Sequence, residues 1–185
     1  MRVLGIDPGT TGAIALLNDD AFECALDMPT MQRGKTSQKQ MINAAELARI
    51  VRELRADVAC VELVQAMPPR GDKSGMGAAS AFNFGESAGV IRGVLAALGI
   101  ETHYVTPVSW KKRAGLMGNR DKEASRSLAI RFWPIAPLAR KKDSGRAEAL
   151  LIARYGLKEA PVRVYEDPFE DTSERKAALQ PQALL

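Results

Sequence analysis

The stretch VLGIDPGTTGAIALL, residues 3–17, places a single carboxylate, Asp7, in otherwise apolar sequence next to a glycine-rich segment. VLGID and GAIALL are both typical of buried strands, and PGTTG between them predicts a tight turn. Burying an unpaired carboxylate costs several kcal/mol. Asp7 at the end of a core strand therefore indicates a cation, a set of hydrogen-bond donors, or solvent at that point.

A second acid occurs in a similar setting. Residues 57–64, DVACVELV, predict another mostly apolar strand, with Glu62 inside it. If the two strands are neighbours and both carboxylates face one cleft, their repulsion requires a positive charge between them. Mg²⁺ or Mn²⁺ suits such oxygen ligands. Zinc is disfavoured, because His103 is the single histidine and the chain has no cluster of cysteines and histidines.

Two further acids lie at the start of the last predicted helix, residues 143–156. Asp143 and Glu148 would differ by about 140° around a formed helix, so we expect Asp143 in the preceding turn and Glu148 in the first helical turns, both directed at the sheet edge near Asp7. The alternatives are N-capping for Asp143 and an exposed helix face for Glu148. Four acids around two ions about 4 Å apart would support in-line hydrolysis of a phosphodiester. The predicted catalytic residues and metal ligands are thus Asp7, Glu62, Asp143 and Glu148.

Basic residues are concentrated in one segment. Residues 105–142 contain ten bases against two acids, an excess of +8, whereas the final 29 residues carry −2. This concentration favours a polyanionic partner, and nucleic acid before membrane. A solvated charged face is the alternative.

The predicted element order is βββ-α-β-α-β-(α)-α-α, an α/β fold with a mixed five-stranded sheet, its first three strands antiparallel, flanked by helices. Residues 32–42 are expected to form a polar connection, and Thr106 to cap a helix that begins at Pro107. The helix predicted from Ala78 to Leu98 carries Gly85, Gly89 and Gly93 on one face. Such a stripe indicates close approach of another backbone, either the sheet or a second subunit, and we favour the sheet.

The chain of 185 residues, 46% hydrophobic, is long enough for one full core. We expect one domain over residues 1–156 and an extended or partly disordered tail over 157–185. No apolar run is long enough to cross a membrane and no signal peptide is recognisable, so we expect a soluble, cytoplasmic protein.

Several motifs together resemble a known family. LGIDPGTTG, VELVQAMP, FNFGESAG, VTPVSWKK, DKEASR and KDSGRAEALLIARYG are similar, in the same order, to the phage branch of the RuvC-type Holliday junction resolvases, which have the ribonuclease H-like fold. The resemblance covers most of residues 1–156. It implies a homodimeric, Mg²⁺- or Mn²⁺-dependent endonuclease that makes paired nicks across a four-way DNA junction, in the cytoplasm of a bacterial host if a phage or prophage encodes it.

The resemblance also assigns roles by position. Asp7 matches the acid of the family's first strand, Glu62 that of the fourth strand, and Glu148 the second acid of the last helix. The family's bacterial members place another acid at the position of Gly145, and Asp143, two residues further back, would replace it.

Contacts with DNA are implied for the residues around the 65–77 loop and in the basic segment. Core packing is the alternative for the two phenylalanines, because apolar residues in a helical pattern are usually buried. The implied DNA-binding residues are Arg70, Lys73, Phe82, Phe84, Lys111, Lys112, Arg113, Lys141 and Lys142.

Three competing functions share parts of this pattern. An ATPase of the actin and sugar-kinase type also has a first strand that runs into an acid and a glycine-rich turn. Such an ATPase needs two domains of this kind, and 185 residues are too few to form both. A ribonuclease H-like nuclease acting on RNA or on other branched DNA would use the same acids. A DNA-binding protein without catalytic activity remains if one of the four acids is not a ligand.

Overall fold

A computed structural model describes residues 1–34, 39–63, 77–119, 121 and 123–158 of the chain. Its strands are β1 (Arg2–Asp7), β2 (Ala13–Asn18), β3 (Ala21–Asp27), β4 (Thr30–Gln32), β5 (Gln40–Ile42), β6 (Val58–Glu62) and β7 (Glu101–Val105). Its helices are α1 (Ala44–Leu54), α2 (Ala78–Ala97), α3 (Pro107–Arg113), α4 (Ala124–Phe132) and α5 (Ser144–Lys158), and a 3₁₀ turn, Lys141–Asp143, leads into α5. Residues 157 and 158 of the predicted tail belong to α5, because the helix continues past Gly156. Residues 159–185 of that tail, and the loop with Arg70 and Lys73, lie outside the described residues.

The main sheet has five strands in the order β3-β2-β1-β6-β7. Strand β2 pairs antiparallel with both β1 and β3. Strand β6 pairs parallel with β1, and β7 pairs parallel with β6. The prediction of a mixed five-stranded sheet with three antiparallel first strands is therefore confirmed. The connections β1–β6 and β6–β7 pass through α1 and α2, as parallel neighbours require.

Helices cover both faces of this sheet. Successive side chains of a strand point to opposite faces, and on both faces these side chains are apolar and buried. Leu4, Ile6 and Val61 face one apolar core, which includes buried residues of α1 and α2. Val3 and Cys60 face the other core, which includes buried residues of α3, α4 and α5. No helix in the described part of the chain is long and apolar enough to cross a membrane.

Helix α5 packs unusually close to β1, and small residues make this possible. A Cβ atom added to Gly5 would lie 2.0 Å from the backbone oxygen of Ala149 and 2.8 Å from the Cβ of Ala153. A Cβ on Gly156 would lie 2.9 Å from the Cβ of Cys60. The absence of side chains at these glycines thus sets how near the middle and last turns of α5 come to β1 and β6.

Two predictions about local structure are wrong. Residues 32–42 are not only a connection, because β4 and β5 form a short antiparallel hairpin there. The glycine stripe of α2 does not pack on the sheet: among the described residues, no heavy atom lies within 4 Å of a Cβ built on Gly85, Gly89 or Gly93. Instead α2 turns Ser87, Ile91 and Leu95 toward the core, and the glycine face is exposed.

Candidate active site

Asp7 and Glu62 are the last residues of β1 and β6, two adjacent parallel strands. The register pairs Ile6 with Val61, one residue before each acid. Side chains alternate along a strand, so both acids follow Gly5 and Cys60 on the sheet face that α5 covers. The prediction that the strands of the two acids are neighbours is confirmed.

Glu148 of α5 joins these two carboxylates. Burial raises the pKa of Asp7 well above its usual value, and the charges of Glu148 and Glu62 raise it further, while Lys111 opposes the shift. Burial also raises the pKa of Glu62, with Glu148 adding to the effect and the indole of Trp110 and the charge of Lys111 opposing it. Three acids that lie far apart in the chain therefore interact at one place.

Side chains of α3 and α4 contact two of these acids. The indole Nε1 of Trp110 donates a hydrogen bond of 2.8 Å to Glu62 Oε1. The hydroxyl of Ser125 donates one of 3.2 Å to Glu148 Oε1, and Lys111 Nζ lies 3.8 Å from the same oxygen. Lys111 is the cation that lowers the pKa of both Asp7 and Glu62, so it partly balances the charge of the cluster.

Asp7 and Glu62 open into a cleft of about 810 Å³. The turn of residues 8–12 forms one wall, and the N-terminal parts of α2 and α3 contribute Phe84 and Val108. The cleft is open to solvent, so an extended substrate could reach both carboxylates.

Asp143 occupies a different environment. It lies in the 3₁₀ turn before α5, as expected, but its carboxylate accepts hydrogen bonds from the Arg140 backbone N–H (2.7 Å), Nε (3.0 Å) and Nη2 (2.6 Å). These bonds lower the pKa of Asp143, and Asp143 is not among the charges that shift Asp7 or Glu62. At the position of the family's other acid, a Cβ on Gly145 would lie 2.8 Å from Thr11 O and 3.3 Å from Asp7 Oδ2. The backbone of α5 itself therefore lies against Asp7 here.

The donor set fits a hard divalent cation. Asp7, Glu62 and Glu148 offer only carboxylate oxygens, and their mutual repulsion in a partly buried place would be relieved by a cation between them. Within the described ranges, no three acidic, histidine or cysteine side chains are placed closely enough for all of them to bind one ion in this arrangement.

Of the predicted DNA-binding residues in the described part of the chain, Phe84 lines the cleft, and most of the others are exposed. Phe82 and Phe84 on α2 are 67% and 40% exposed, so the alternative of core packing is wrong for both rings. Lys112 and Arg113 at the end of α3, and Lys141 and Lys142 in the 3₁₀ turn, are exposed. Lys111 is half-buried beside Glu148 instead.

Three contacts at the site had no counterpart in the sequence analysis. Trp110 is 1% exposed, as core packing would give, yet it also binds Glu62. No sequence signal marked Ser125 as a partner of Glu148. Arg140, three residues before Asp143, is the one partner that spacing alone could have suggested.

Comparison with known proteins gives a consistent result. No family model matches the chain. Crossover junction endodeoxyribonuclease RuvC of Chloroflexus aurantiacus is 29% identical over 164 residues, which cover 83% of this chain and 90% of that protein. The chloroplastic Holliday junction resolvase MOC1 of Chlamydomonas reinhardtii is 33% identical over 154 residues, which cover 72% of this chain and 17% of that protein.

Solved structures show the same fold. The structure of Thermus thermophilus RuvC superimposes with a TM-score of 0.50 at 19% identity, over 83% of this chain and 91% of that one. T. thermophilus RuvC in complex with a Holliday junction substrate gives 0.51 at 18% identity, over 83% and 90%. The fold is ribonuclease H-like, with acids at the carboxyl edge of adjacent strands β1 and β6. Within that class, the relatives reported above are similar to this chain over most of its length.

Proposed function

We propose that this chain is an endodeoxyribonuclease that resolves four-way DNA junctions by divalent-metal-dependent hydrolysis of phosphodiester bonds. The observation that carries the proposal is the convergence of Asp7, Glu62 and Glu148 from three elements distant in sequence, with Asp7 and Glu62 lining an open cleft. Relatives named as RuvC and as a Holliday junction resolvase support DNA junctions as the substrate class.

Asp7, Glu62 and Glu148 would hold the divalent cations, for which we propose Mg²⁺ or Mn²⁺ and two ions per site. Such ions supply a hydroxide nucleophile at neutral pH and stabilise the leaving oxygen. Lys111 lies beside Glu148 and is placed to balance negative charge at the site. Asp143 stays a predicted fourth ligand; the three hydrogen bonds from Arg140 favour a structural role for it.

Exposed basic and aromatic residues would hold the junction. Lys112, Arg113, Lys141 and Lys142 are exposed cations suited to phosphate contacts. Phe82 and Phe84 expose their rings on the N-terminal part of α2, where they could stack on bases opened at the junction centre. Arg70 and Lys73, outside the described residues, belong to the same proposed surface.

A homodimer would provide the two active sites that paired nicks require. The exposed glycine face of α2 supports this, since Gly85, Gly89 and Gly93 let another backbone approach closely and no described residue of this chain does so. We propose that the same face of a second copy packs there, which gives the isologous contact of a two-fold dimer.

The test is a comparison of substrates under identical conditions. The protein is incubated with Mg²⁺ and a four-way junction, a duplex of the same sequence, a single-stranded RNA, or ATP. Symmetric paired nicks in the junction with the duplex intact are expected. Cleavage of the RNA alone would favour the ribonuclease alternative, and phosphate release from ATP without nucleic acid cleavage would refute the nuclease.

A further inference from the structure

Trp110 is a buried tryptophan whose ring nitrogen contacts an acid of the proposed active site. Its side chain is 1% exposed, and its indole Nε1 lies 2.8 Å from Glu62 Oε1. A buried indole N–H requires an acceptor, and a backbone carbonyl satisfies the only other tryptophan: Trp133 Nε1 donates to Asp20 O, also at 2.8 Å. The two tryptophans therefore donate to different groups: Trp110 to a carboxylate that lines the cleft, and Trp133 to a backbone carbonyl between β2 and β3.

Helix α3 connects this acid with Glu148. Lys111, the residue after Trp110, lies 5.0 Å from the centroid of the Trp110 ring and 3.8 Å from Glu148 Oε1. The helix starts directly after β7, where the side chain of Thr106 accepts from Ser109 N. Two successive residues of one short, capped helix thus contact acids from β6 and from α5.

We propose that Trp110 is a positioning residue for Glu62: its indole N–H fixes the rotation of the carboxylate toward the cleft, so that Glu62 is oriented to bind a divalent cation. The inference rests on the proposed metal-dependent function of the cleft. Its physical basis is the cost of orienting a ligand. A carboxylate that another group already holds in place loses less freedom when a cation binds, and partners of this kind commonly change metal affinity by about 10- to 100-fold.

The experiment compares Trp110→Phe with Trp133→Phe, which removes the same N–H from a buried indole elsewhere. Mn²⁺ binding to each protein alone is measured from the electron paramagnetic resonance signal of free Mn²⁺. We expect Trp110→Phe to weaken Mn²⁺ binding by about tenfold and to raise by a similar factor the Mn²⁺ concentration for half-maximal junction cleavage. Junction affinity without metal should not change, and Trp133→Phe should bind Mn²⁺ as the wild type does.

A double variant separates positioning from general loss of structure. If Trp110 acts through Glu62, adding Trp110→Phe to Glu62→Gln should cause no further loss of Mn²⁺ affinity. If Trp110→Phe does not fold, benzothienylalanine at position 110, which keeps the bicyclic ring without the N–H, replaces it. Wild-type Mn²⁺ affinity in the variant at position 110, or an equal loss in Trp133→Phe, would overturn the proposal.

The two proposals fail in different ways. A wild-type protein that binds Mn²⁺ but leaves junctions intact would refute the proposed function, and the Mn²⁺ affinities would still decide the role of Trp110. A wild-type protein that cleaves junctions, together with a Trp110→Phe variant of unchanged Mn²⁺ affinity, would refute only the role of Trp110.

Discussion

Asp7 and Asp143 are the same residue type in opposite electrostatic environments. Burial and two neighbouring acids raise the pKa of Asp7, whereas hydrogen bonds from Arg140 lower that of Asp143. The ionised form of Asp7 therefore opposes folding in the absence of metal, and the ionised form of Asp143 favours it. An acid whose charge destabilises its own protein is typical of a functional site.

Replacing Asp7 with Asn should stabilise the metal-free protein while abolishing activity. In the unfolded chain this carboxyl ionises near pH ~3.9. Above that pH the burial of Asp7 lowers the free energy of unfolding, and this loss grows with pH and is complete above the raised folded pKa. The thermal midpoint in EDTA at pH 7 should thus be higher for Asp7→Asn than for the wild type, and the difference should vanish toward pH ~4. Junction cleavage with Mg²⁺ should fall by about 10³-fold or more, while junction binding is retained.

Asp27→Asn is the matched control for this measurement. Asp27 is exposed and accepts a 2.6 Å hydrogen bond from Arg146, and it is not among the charges that shift the pKa of Asp7. Its removal should not raise the thermal midpoint. Mg²⁺ should stabilise the wild type and Asp27→Asn but not Asp7→Asn. Near wild-type cleavage by Asp7→Asn would contradict the metal site.

Asp143→Asn should destabilise the metal-free protein, opposite in sign to Asp7→Asn. The variant loses charge-assisted hydrogen bonds to Arg140, a change of about 1 to 3 kcal/mol in the free energy of unfolding. The contribution of Asp143 is present above its unfolded pKa of about 3.9 and is lost as pH falls through the lower folded pKa, so wild type and variant should converge in acid. Urea unfolding in EDTA at pH 7 and at pH 3 measures this. If Mg²⁺ stabilises Asp143→Asn as much as the wild type, Asp143 is not a ligand.

At the scale of elements, strong periodic patterns identified all five strands of the main sheet and its helices. The hairpin β4–β5 was missed because each strand has three residues, too few to display an alternating pattern. The glycine face of α2 was assigned to the sheet because a stripe of small residues indicates close approach without indicating which backbone approaches. In α5 a similar spacing of small residues does face the sheet, at Gly145, Ala149 and Ala153.

Gly5→Ala tests how α5 is held against β1. A Cβ here would lie 2.0 Å from the backbone oxygen of Ala149, and α5 cannot move away without carrying Glu148 from Asp7. We expect destabilisation by about 1 to 3 kcal/mol, as for other overpacked cores, together with a loss of cleavage. Chemical denaturation and a junction assay measure the two effects.

Gly77→Ala is the control for Gly5→Ala. Gly77 has a φ of −60° that alanine adopts readily, and no described heavy atom lies within 4 Å of a Cβ there. Its substitution should change stability by less than about 1 kcal/mol. Equal stability of Gly5→Ala and Gly77→Ala would show that the packing of α5 on β1 does not require a glycine at position 5.

At the scale of the whole molecule, the sequence predicted which acids come together better than it predicted what surrounds them. Asp7 and Glu62 stood out as charges in apolar strands, and parallel neighbours must bring the ends of those strands together. The contacts of Trp110 and Ser125 depend instead on how α3 and α4 pack against α5 and β6, which no local pattern encodes. Asp143 differs because Arg140, from its own turn, competes for its carboxylate.

The dimer is the property of the whole molecule that is most directly testable, and Gly89→Arg is designed to separate it from folding. Arginine favours a helix over glycine by roughly 0.5 to 1 kcal/mol, and no described atom lies within 4 Å of a Cβ at this position. The monomer should therefore be as stable as the wild type or more so, while a second copy meets a bulky charge. Ala45→Arg, at an exposed position of α1, adds the same charge elsewhere. Sedimentation equilibrium should show a dimer for the wild type and for Ala45→Arg, and a monomer for Gly89→Arg.

A plasmid with an extruded cruciform reports the functional consequence of the dimer. Two active sites on one junction nick both strands within the lifetime of a single complex and produce linear DNA, whereas a single site releases a nicked circle. The wild type and Ala45→Arg should thus give mainly linear product and Gly89→Arg mainly nicked circles. Since the Gly89→Arg substitution lies on the exposed face of α2, opposite the side chains that α2 buries, its active site should still nick. A dimeric Gly89→Arg that yields linear product would place the second active site on another face of the molecule.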